Sequence, residues 1–318
     1  MALQTTGSAG LSDEMKTYYD RRLLEYTRPE LVHAKFGQVR SIPRRGGKTV
    51  EFRRFSTLDT ATTALTEGTL FTNLKPLEVT AIEATIAQYG DAVGFSDLVS
   101  TTTIDNVLEE TVDLLALQAG ESLDEIYRTV LNAGTNVLYV GARTGRTDIE
   151  ATDYLTAADV ARIALTLKMG RAKKIDGAFH AVIHPRVAHD LQQTTEWETA
   201  NNEHRTGRIF DGSLGMLYGI KFWETDKAYV WENASNGAGA AGTIDVYSTL
   251  VFGANAYGVV GLEGHNLRSI FKPLGSAGTA DALDQQQTMG WKVATVAKIL
   301  NDSFMVRYES TASTATNS

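Results

Sequence analysis

The 318-residue chain is 43% hydrophobic, carries a formal charge of −8 and contains no cysteine. This composition is typical of a globular protein with a large core, and the absence of cysteine excludes disulfides, thiolate nucleophiles and sulfur-ligated metals. The sequence has neither a run of about 18 apolar residues nor the features of a secretory signal, so we expect the protein to be made in a cytoplasm and predict no membrane partner.

The first part of the chain predicts a helical arm. Roughly 11 small, polar residues, which we expect to be disordered, precede Ser12, which can cap a helix. Its apolar positions lie on one face, at Met15, Tyr19, Leu23 and Tyr26. The helix should stop before Pro29, and a second short helical piece should run from Glu30 to Phe36.

An unusually long excursion follows the arm. Thr49 to Phe55 and Glu78 to Tyr89 both alternate in the manner of strands, and a threonine-rich stretch separates them. Together they make a connection of about 50 residues, which is longer than a compact domain normally contains. We therefore expect this two-stranded segment to lie on a partner.

The longest helical pattern runs from Ile104 to Ala133, and we name it the spine helix. Apolar residues recur at steps of three or four, at Ile104, Leu108, Val112, Leu115, Ala119, Leu123, Ile126 and Val130. Thr103 or Asp105 can cap its start, and Gly134 predicts a left-handed residue at its end.

The rest of the chain alternates between helix and strand. Thr156 or Asp159 can cap a helix from Val160 to Arg171, a buried strand follows over 178–184, and a helix is predicted from Val187 to Trp197. Asn233 to Gly242 reads as a flexible tip. Further strands are predicted at Met216–Glu224, Lys227–Trp231, Ile244–Phe252, Gly258–Leu262, Gly290–Leu300 and Phe304–Tyr308. The fold class is therefore α+β, with an α/β middle and a disordered tail at 311–318.

Charge is distributed unevenly along the chain. Residues 16–54 contain eleven basic and four acidic side chains, a net +7, so the remainder carries −15. The spine helix alone carries −6, from seven acids and Arg128. A basic segment and an acidic helix predict an electrostatic pair within or between subunits.

Three histidines form the best candidate for a metal site. His180, His184 and His189 are close in sequence, and clustered imidazoles can bind zinc. No HExxH motif or nearby carboxylate pair completes a ligand set, which favours structural roles, with His184 bonding backbone at the end of its strand. An α/β metalloenzyme that uses these histidines is kept as an alternative.

Other motifs give no catalytic or cofactor site. Gly237 to Gly242 fits the dinucleotide pattern G-x-G-x-x-G, but a strand rather than a helix follows it. Asp211 to Gly215 lacks the first glycine of a nucleophile elbow. The basic segment Arg40 to Arg54 could bind nucleic acid, but the overall negative charge favours an acidic protein surface as its partner. We predict no catalytic residue, no cofactor and no metal.

A series of short motifs, in order and spanning nearly the whole chain, points to a known family. They are Leu65-Thr66-Glu67-Gly68, Gln88-Tyr89-Gly90 before Ser96-Asp97, Ala181 to Pro185 with Asp190-Leu191 and Trp197, and Gly212 to Ile220 with Glu224-Thr225. With the order of arm, long loop, spine helix and central α/β region, the chain resembles the tailed-phage major capsid proteins of the Hong Kong 97 fold, in the N-four-type phage major capsid family.

The resemblance implies a structural protein that self-assembles into the icosahedral head shell enclosing double-stranded DNA. It implies an arm at 1–36, an extended loop at 37–92, a peripheral domain at 93–134 and 286–310, and an axial domain at 135–285 that meets its copies at the vertices. The expected partners are other copies in pentamers and hexamers, a separate scaffolding protein, a portal, a decoration protein, and DNA through weak contacts only. An encapsulin-like nanocompartment shares the fold and is the nearest alternative.

The resemblance also suggests a use for the uneven charge. It implies that the extended loop of one subunit lies across the spine helix of another. From the residues, we predict that the loop's basic side chains face the neighbour's acids, with Arg44, Arg45, Lys48, Arg53 and Arg54 facing Glu109, Glu110, Asp113 and Glu121. Such exposed pairs contribute only about 0.2–1 kcal/mol each, so apolar contacts should hold the loop while charge sets its register.

Overall fold

The computed structural model describes residues 19–24, 27, 31–65, 67–68, 70, 72, 74–102, 107–141, 143–202, 213–239, 242–276 and 281–314. Predictions that fall on other residues, such as the caps at Ser12, Thr103 and Asp105, lie outside this described part. The helices are α1 (Asp97–Thr102), α2 (Val107–Asn132), α3 (Ala157–Met169), α4 (Pro185–Gln192) and α5 (Thr195–Asn202). The strands are β1 (Gln38–Ile42), β2 (Thr49–Phe55), β3 (Val79–Thr85), β4 (Ala87–Ser96), β5 (Val137–Tyr139), β6 (Phe179–Ile183), β7 (Gly215–Leu217), β8 (Ile220–Glu224), β9 (Val230–Ser235), β10 (Ile244–Phe252), β11 (Tyr257–Leu262), β12 (Arg268–Lys272), β13 (Gln286–Ile299) and β14 (Met305–Ser310).

One layer of the protein is a five-stranded sheet built around the long strand β13. Strand β4 pairs antiparallel with one edge of β13, while β11 and β12 pair with its other edge, one after the other. Strand β1 extends the sheet by pairing parallel with β11. Helix α2 and the helical residues 19–24 pack on one face of this sheet, because Leu115, Ala119, Tyr127 and Tyr19 share a core with Trp291 and Val293.

The second layer is a seven-stranded mixed sheet in the order β5-β14-β10-β6-β8-β7, with β9 also paired to β10. Strand β6 is buried along its whole length, which agrees with its unbroken apolar sequence. Helix α3 buries Val160, Ile163, Ala164 and Leu167 against this sheet, as predicted. Of the two predicted caps, Thr156 is confirmed as the N-cap, and Asp159 bonds back to it, so the two residues form a capping box.

The extended loop leaves the five-stranded sheet as a hairpin. Strands β2 and β3 pair antiparallel, with Phe52 opposite Ile82. Phe52 is 3% exposed and packs with Ile42, Ala84, Val260 and Leu300 in a small core at the hairpin base. Gly258 makes room for this contact, since a Cβ there would lie 2.7 Å from the Phe52 ring.

The spine helix is confirmed over Val107–Asn132, but its buried face and its end differ from the prediction. Ile126 and Val130 are only half-buried, while Tyr127 and Leu131 occupy the core. Gly134 is not in the left-handed region. A Cβ at this position would lie 2.5 Å from Met305 Cε. Close packing rather than backbone freedom therefore favours glycine here.

Several predicted boundaries also shift. Strands β11 and β12 lie in the five-stranded sheet rather than with the axial strands, because they pair with β13, and β14 lies in the seven-stranded sheet beside β10. A tight turn at Tyr218 and Gly219, both with positive φ, splits the predicted strand 216–224 into β7 and β8. The predicted helix 187–197 is divided into α4 and α5.

The predicted disordered tail begins with an ordered segment. The Thr311 N–H donates to the Asp153 carbonyl, and Ala312 is 3% exposed in the core of the seven-stranded sheet. The Ser313 N–H and hydroxyl both donate to the Asp190 carboxylate. Residues 311–313 are therefore held by burial and hydrogen bonds, which their polar composition concealed.

Candidate inter-subunit interface

The basic residues predicted to contact a neighbour all lie on the surface of the extended loop. Arg44, Arg45, Lys48, Arg53 and Arg54 are each exposed. Arg53 Nε lies 2.9 Å from Glu51 Oε1, and Arg54 Nη1 donates to Asn301 Oδ1 at 3.3 Å. These exposed contacts are weak enough to yield to a stronger partner.

The acidic residues predicted on the spine helix already have partners within the chain. Arg22 from the arm makes two hydrogen bonds to Asp113, of 2.6 and 2.7 Å, and lies 3.8 Å from Glu109. Lys227 Nζ lies 2.8 Å from Glu121 Oε1. Glu110 is exposed and makes no ion pair within the described residues. The acidic surface is therefore partly neutralised inside one subunit.

One acid of the spine helix is a core residue. Asp124 is fully buried and accepts two hydrogen bonds from His33, from the backbone N–H at 2.8 Å and from ring Nδ1 at 2.7 Å. The His33 carbonyl accepts a hydrogen bond from the Tyr257 hydroxyl, whose pKa burial raises well above its ordinary value. Charge alone placed Asp124 on the acidic surface of the helix. Its carboxylate is instead buried and holds the arm against the helix through its hydrogen bonds to His33.

The arm is joined to its own subunit by further polar contacts. The Thr27 hydroxyl donates to the carbonyls of Leu23 and Ala116, and Asp20 accepts two hydrogen bonds from Ser269. Leu23 is 1% exposed within the same core. In the described residues, this part of the arm is thus an integral layer of the subunit.

Uncovered apolar side chains are concentrated in the distal segment of the extended loop, which we define as residues 56–78. Its leucines at positions 58, 65, 70, 74 and 77 are between 60% and 84% exposed. The outer face of α2 also exposes Leu114, at 67%, and Leu117, at 42%. A soluble monomer rarely leaves so many large apolar residues together in water, and such patches mark protein interfaces.

The three candidate histidines have separate structural partners. His184 caps α4, since its Nδ1 accepts the Arg186 N–H at 3.1 Å, which confirms the predicted backbone bond, and burial lowers its pKa to about 4. Trp223 Nε1 donates to His180 Nδ1 at 3.0 Å, and burial also lowers the His180 pKa. The exposed His189 contacts Gln193. Within the described ranges, no group of three His, Asp or Glu side chains is placed to hold a metal ion.

The glycine-rich segment after β9 makes a hydrogen bond within the subunit. Gly237 and Gly239 follow β9, and the Gly239 N–H donates to the Thr147 carbonyl, so this amide is used inside the domain. Residues 240–241 of the motif are outside the described part. No helix in the described residues has the length and apolar character needed to cross a membrane.

A charged and aromatic cluster beside the seven-stranded sheet was not predicted from the sequence. The Glu309 side chain is fully buried and accepts two hydrogen bonds from Arg146, at 2.7 and 2.8 Å, while Arg307 Nε lies 2.9 Å from it. The Arg146 guanidinium stacks 3.6 Å from the Trp231 ring. Only the pairing of three distant segments creates this cluster, so no local motif could reveal it.

Comparison with solved structures places this fold among virus shells. The capsid of Ralstonia phage GP4 matches with a TM-score of 0.68 and 17% identity over 87% of each chain. The cyanophage Pam1 capsid matches with a TM-score of 0.67 and 18% identity, over 88% of this chain and 89% of that one. A virus-like particle from Pyrococcus furiosus matches with a TM-score of 0.51 and 13% identity, over 93% and 99%. A search of curated proteins found no match.

The sequence itself identifies the family. A family model described as phage capsid protein matches residues 78–308, which is well over half of the chain. The chain therefore belongs to the phage capsid protein family, and it is a structural protein, a major capsid protein of the head shell with the Hong Kong 97-type fold. These findings favour neither the encapsulin-like nanocompartment nor the α/β metalloenzyme.

Proposed function

We propose that copies of this chain join into the shell by placing the extended loop of one subunit on the peripheral part of the next. The five exposed leucines of the distal segment carry this proposal. Their burial would contribute about 0.8 kcal/mol for each CH₂ group removed from water. A contact of this kind supplies the holding energy that surface charges alone do not.

The base of the loop, residues 38–55, is proposed to face the outer surface of a neighbour's spine helix. That surface combines the exposed acid Glu110 with the exposed apolar residues Leu114 and Leu117. Phe55, 57% exposed, is the matching apolar side chain on the loop base. Because Arg22 and Lys227 already contact the other spine acids, the loop's arginines would join an existing network of charges rather than meet bare carboxylates.

The family resemblance supplies the remaining partners of the proposal. The subunits would form pentamers and hexamers in the host cytoplasm, together with a scaffolding protein, a portal and a decoration protein. Packaged DNA would contact the acidic protein only weakly, because like charges repel. We assign no catalytic role to any residue.

Charge reversal of two exposed arginines tests the proposal. The double variant Arg53→Glu/Arg54→Glu should fold normally, since both side chains are exposed, but should form far fewer shells. The matched control is Lys168→Glu/Lys173→Glu, which makes the same charge change on exposed residues of the axial domain. Shell yield is measured by sedimentation and microscopy. Normal shells from the Arg53/Arg54 variant would contradict the proposed loop contact.

A further inference from the structure

One asparagine of the chain, Asn236, is directly followed by glycine, at Gly237, and no other asparagine is. The main-chain nitrogen of the following residue can attack the side-chain amide carbon of an asparagine, which makes this residue type chemically labile. A following glycine leaves the nitrogen accessible, because it has no Cβ to stand in the way. Asn236 is also exposed, so water reaches its side chain.

Hydrogen bonds hold the main chain on both sides of the Asn236 side chain. Ser235 is buried, and its Oγ lies 2.8 Å from the Thr147 carbonyl oxygen and 2.6 Å from that of Ile149. The Gly237 N–H donates to the same Ser235 Oγ at 3.1 Å. Gly237 has a φ of +74°, which glycine adopts without strain. The nitrogen that would attack therefore belongs to a fixed turn directly after the asparagine.

The Asn236 side chain is bonded in a way that prepares it for attack. The Ala238 N–H donates to Asn236 Oδ1 at 2.8 Å. Attack by the Gly237 nitrogen on the amide carbon puts negative charge on this oxygen, and a donor that is already in place stabilises the charge as it develops. Three consecutive residues thus supply the amide carbon, the attacking nitrogen and the donor to the oxyanion.

We propose that Asn236 is a site of self-modification, at which the folded chain loses ammonia and acquires an aspartate or an isoaspartate. The Gly237 nitrogen gives up its proton to water and forms a bond to Asn236 Cγ. The Cγ–Nδ2 bond breaks, and Nδ2 takes up a proton from water and leaves as ammonia. The product is a five-membered succinimide ring. This inference concerns the single chain and does not rest on the proposed shell function.

Water then opens the succinimide ring in one of two ways. Cleavage of the bond between the Gly237 nitrogen and Cγ leaves an ordinary aspartate at position 236. Cleavage of the bond between the same nitrogen and the main-chain carbonyl carbon leaves isoaspartate, in which the main chain runs through Cγ. Both routes exchange an NH₂ group for an OH group overall, and water is the only co-reactant.

The modification adds a carboxylate to a surface that is already acidic. A Cβ on Gly237 would lie 2.9 Å from Glu150 Cγ, and one on Gly239 would lie 3.5 Å from Asp148 Oδ1, so both acids border this segment. The new carboxylate therefore meets like charge, and isoaspartate also lengthens the main chain by a CH₂ group. Both changes should weaken the bond from the Gly239 N–H to the Thr147 carbonyl, which ties the segment to the domain at 3.1 Å.

A second asparagine nearby provides a control within the same molecule. Asn233 lies three residues earlier, is exposed and has a positive φ of +52°. Ala234 follows it, and the Cβ of alanine hinders the approach of the next nitrogen to the amide carbon. We therefore expect Asn233 to persist under conditions in which Asn236 reacts.

Ageing of the purified, unaltered chain at mildly alkaline pH tests the proposal. Peptide mapping by mass spectrometry measures the exchange of NH₂ for OH at each asparagine, and methylation by a protein isoaspartyl methyltransferase detects isoaspartate. Conversion at Asn236 should be at least about tenfold faster than at Asn233. Equal rates at the two positions, or an Asn236 that stays intact, would overturn the proposal.

A synthetic peptide of residues 231–239 separates the effect of the fold from that of the sequence. Because the Ala238 N–H is held on Asn236 Oδ1 in the folded chain, the folded chain should react at least as fast as the peptide. Reaction of the peptide together with protection of the folded chain would overturn the proposal.

Two variants connect the reaction to its two partners. Gly237→Ala should slow the conversion at least about tenfold, since it places a Cβ beside the attacking nitrogen. Asn236→Gln keeps an exposed amide at this position but moves its carbon one CH₂ group away, and it should stop the exchange in this segment even if the alanine variant folds poorly. Conversion at an unchanged rate in either variant would overturn the proposal.

Discussion

Removing the Asp124 carboxylate should break the contact between the arm and the spine helix and strongly lower the free energy of unfolding. In Asp124→Ala, the His33 N–H and ring lose both of their hydrogen bonds to the carboxylate in a site where the two side chains are 1% and 0% exposed. Leaving these two buried donors without an acceptor costs about 1–3 kcal/mol for each in the free energy of unfolding. This loss is a large fraction of the stability of an ordinary domain.

The next residue in the chain provides the control. Glu125 also pairs with a basic side chain, Arg128, at 2.8 Å, but its side chain is 66% exposed. Glu125→Ala should therefore cost less than about 1 kcal/mol. Urea unfolding of the unassembled subunits, followed by tryptophan fluorescence, measures both variants, and the Asp124→Ala midpoint should fall by roughly 1 M or more. Equal midpoints for the two variants would refute the assignment of Asp124 as a buried fastening residue.

Three further changes follow from the packing and from the histidine cap. Gly134→Ala should lower the free energy of unfolding by no more than about 1 kcal/mol, because the new Cβ would displace only Cε of Met305, the end of a flexible side chain, from a distance of 2.5 Å. Thermal unfolding measures this change, and a loss of several kcal/mol would contradict this packing. Gly258→Ala should loosen the hairpin by displacing Phe52, so limited proteolysis should cut the extended loop faster than in the original chain, and equal cutting rates would count against it. The pKa of His184 is lowered to about 4 in the folded state, so the unfolded chain binds more protons, and stability should decrease as the pH falls from about 6.5 towards 4. His184→Asn keeps an acceptor for the cap and should flatten this part of the stability profile, as measured by urea unfolding at several pH values; an unchanged slope would exclude His184 as its source.

Elements governed by local sequence were predicted well. The spine helix, the Thr156 cap of α3 and the buried strand β6 follow from periodicity, a capping residue type and an unbroken apolar run, all of which act over a few residues. His184 could be assigned to the strand end for the same reason. Local patterns specify which elements form and which face of each is apolar.

Features that depend on distant segments could not be predicted. Asp124 looked like a surface acid because nothing near it in sequence reveals His33, which lies 91 residues away. Gly134 carried the signature of a helix end, whereas its real constraint is the close approach of Met305. Gly90 of β4 and Gly290 of β13 lie close to the backbone of the neighbouring strand, and this contact exists only once the sheet has formed.

The candidate interface likewise combines features that local sequence predicts with features that only the fold shows. The basic loop and the acidic helix could be read from charge alone, but the pairing of Arg22 with Asp113 required the fold of the arm. As a result, side chains of the same subunit already pair with part of the acidic surface that we expected a neighbour to cover. The exposed leucines of the distal segment became informative only once the structure showed that none of the residues it describes buries them.

Electron microscopy of the purified, concentrated chain tests the central claim most directly. We expect closed shells, sheets or rings of pentamers and hexamers from the original chain, and their loss in the Arg53→Glu/Arg54→Glu variant. A population of compact monomers at high concentration, unchanged by that variant, would contradict assembly through the extended loop.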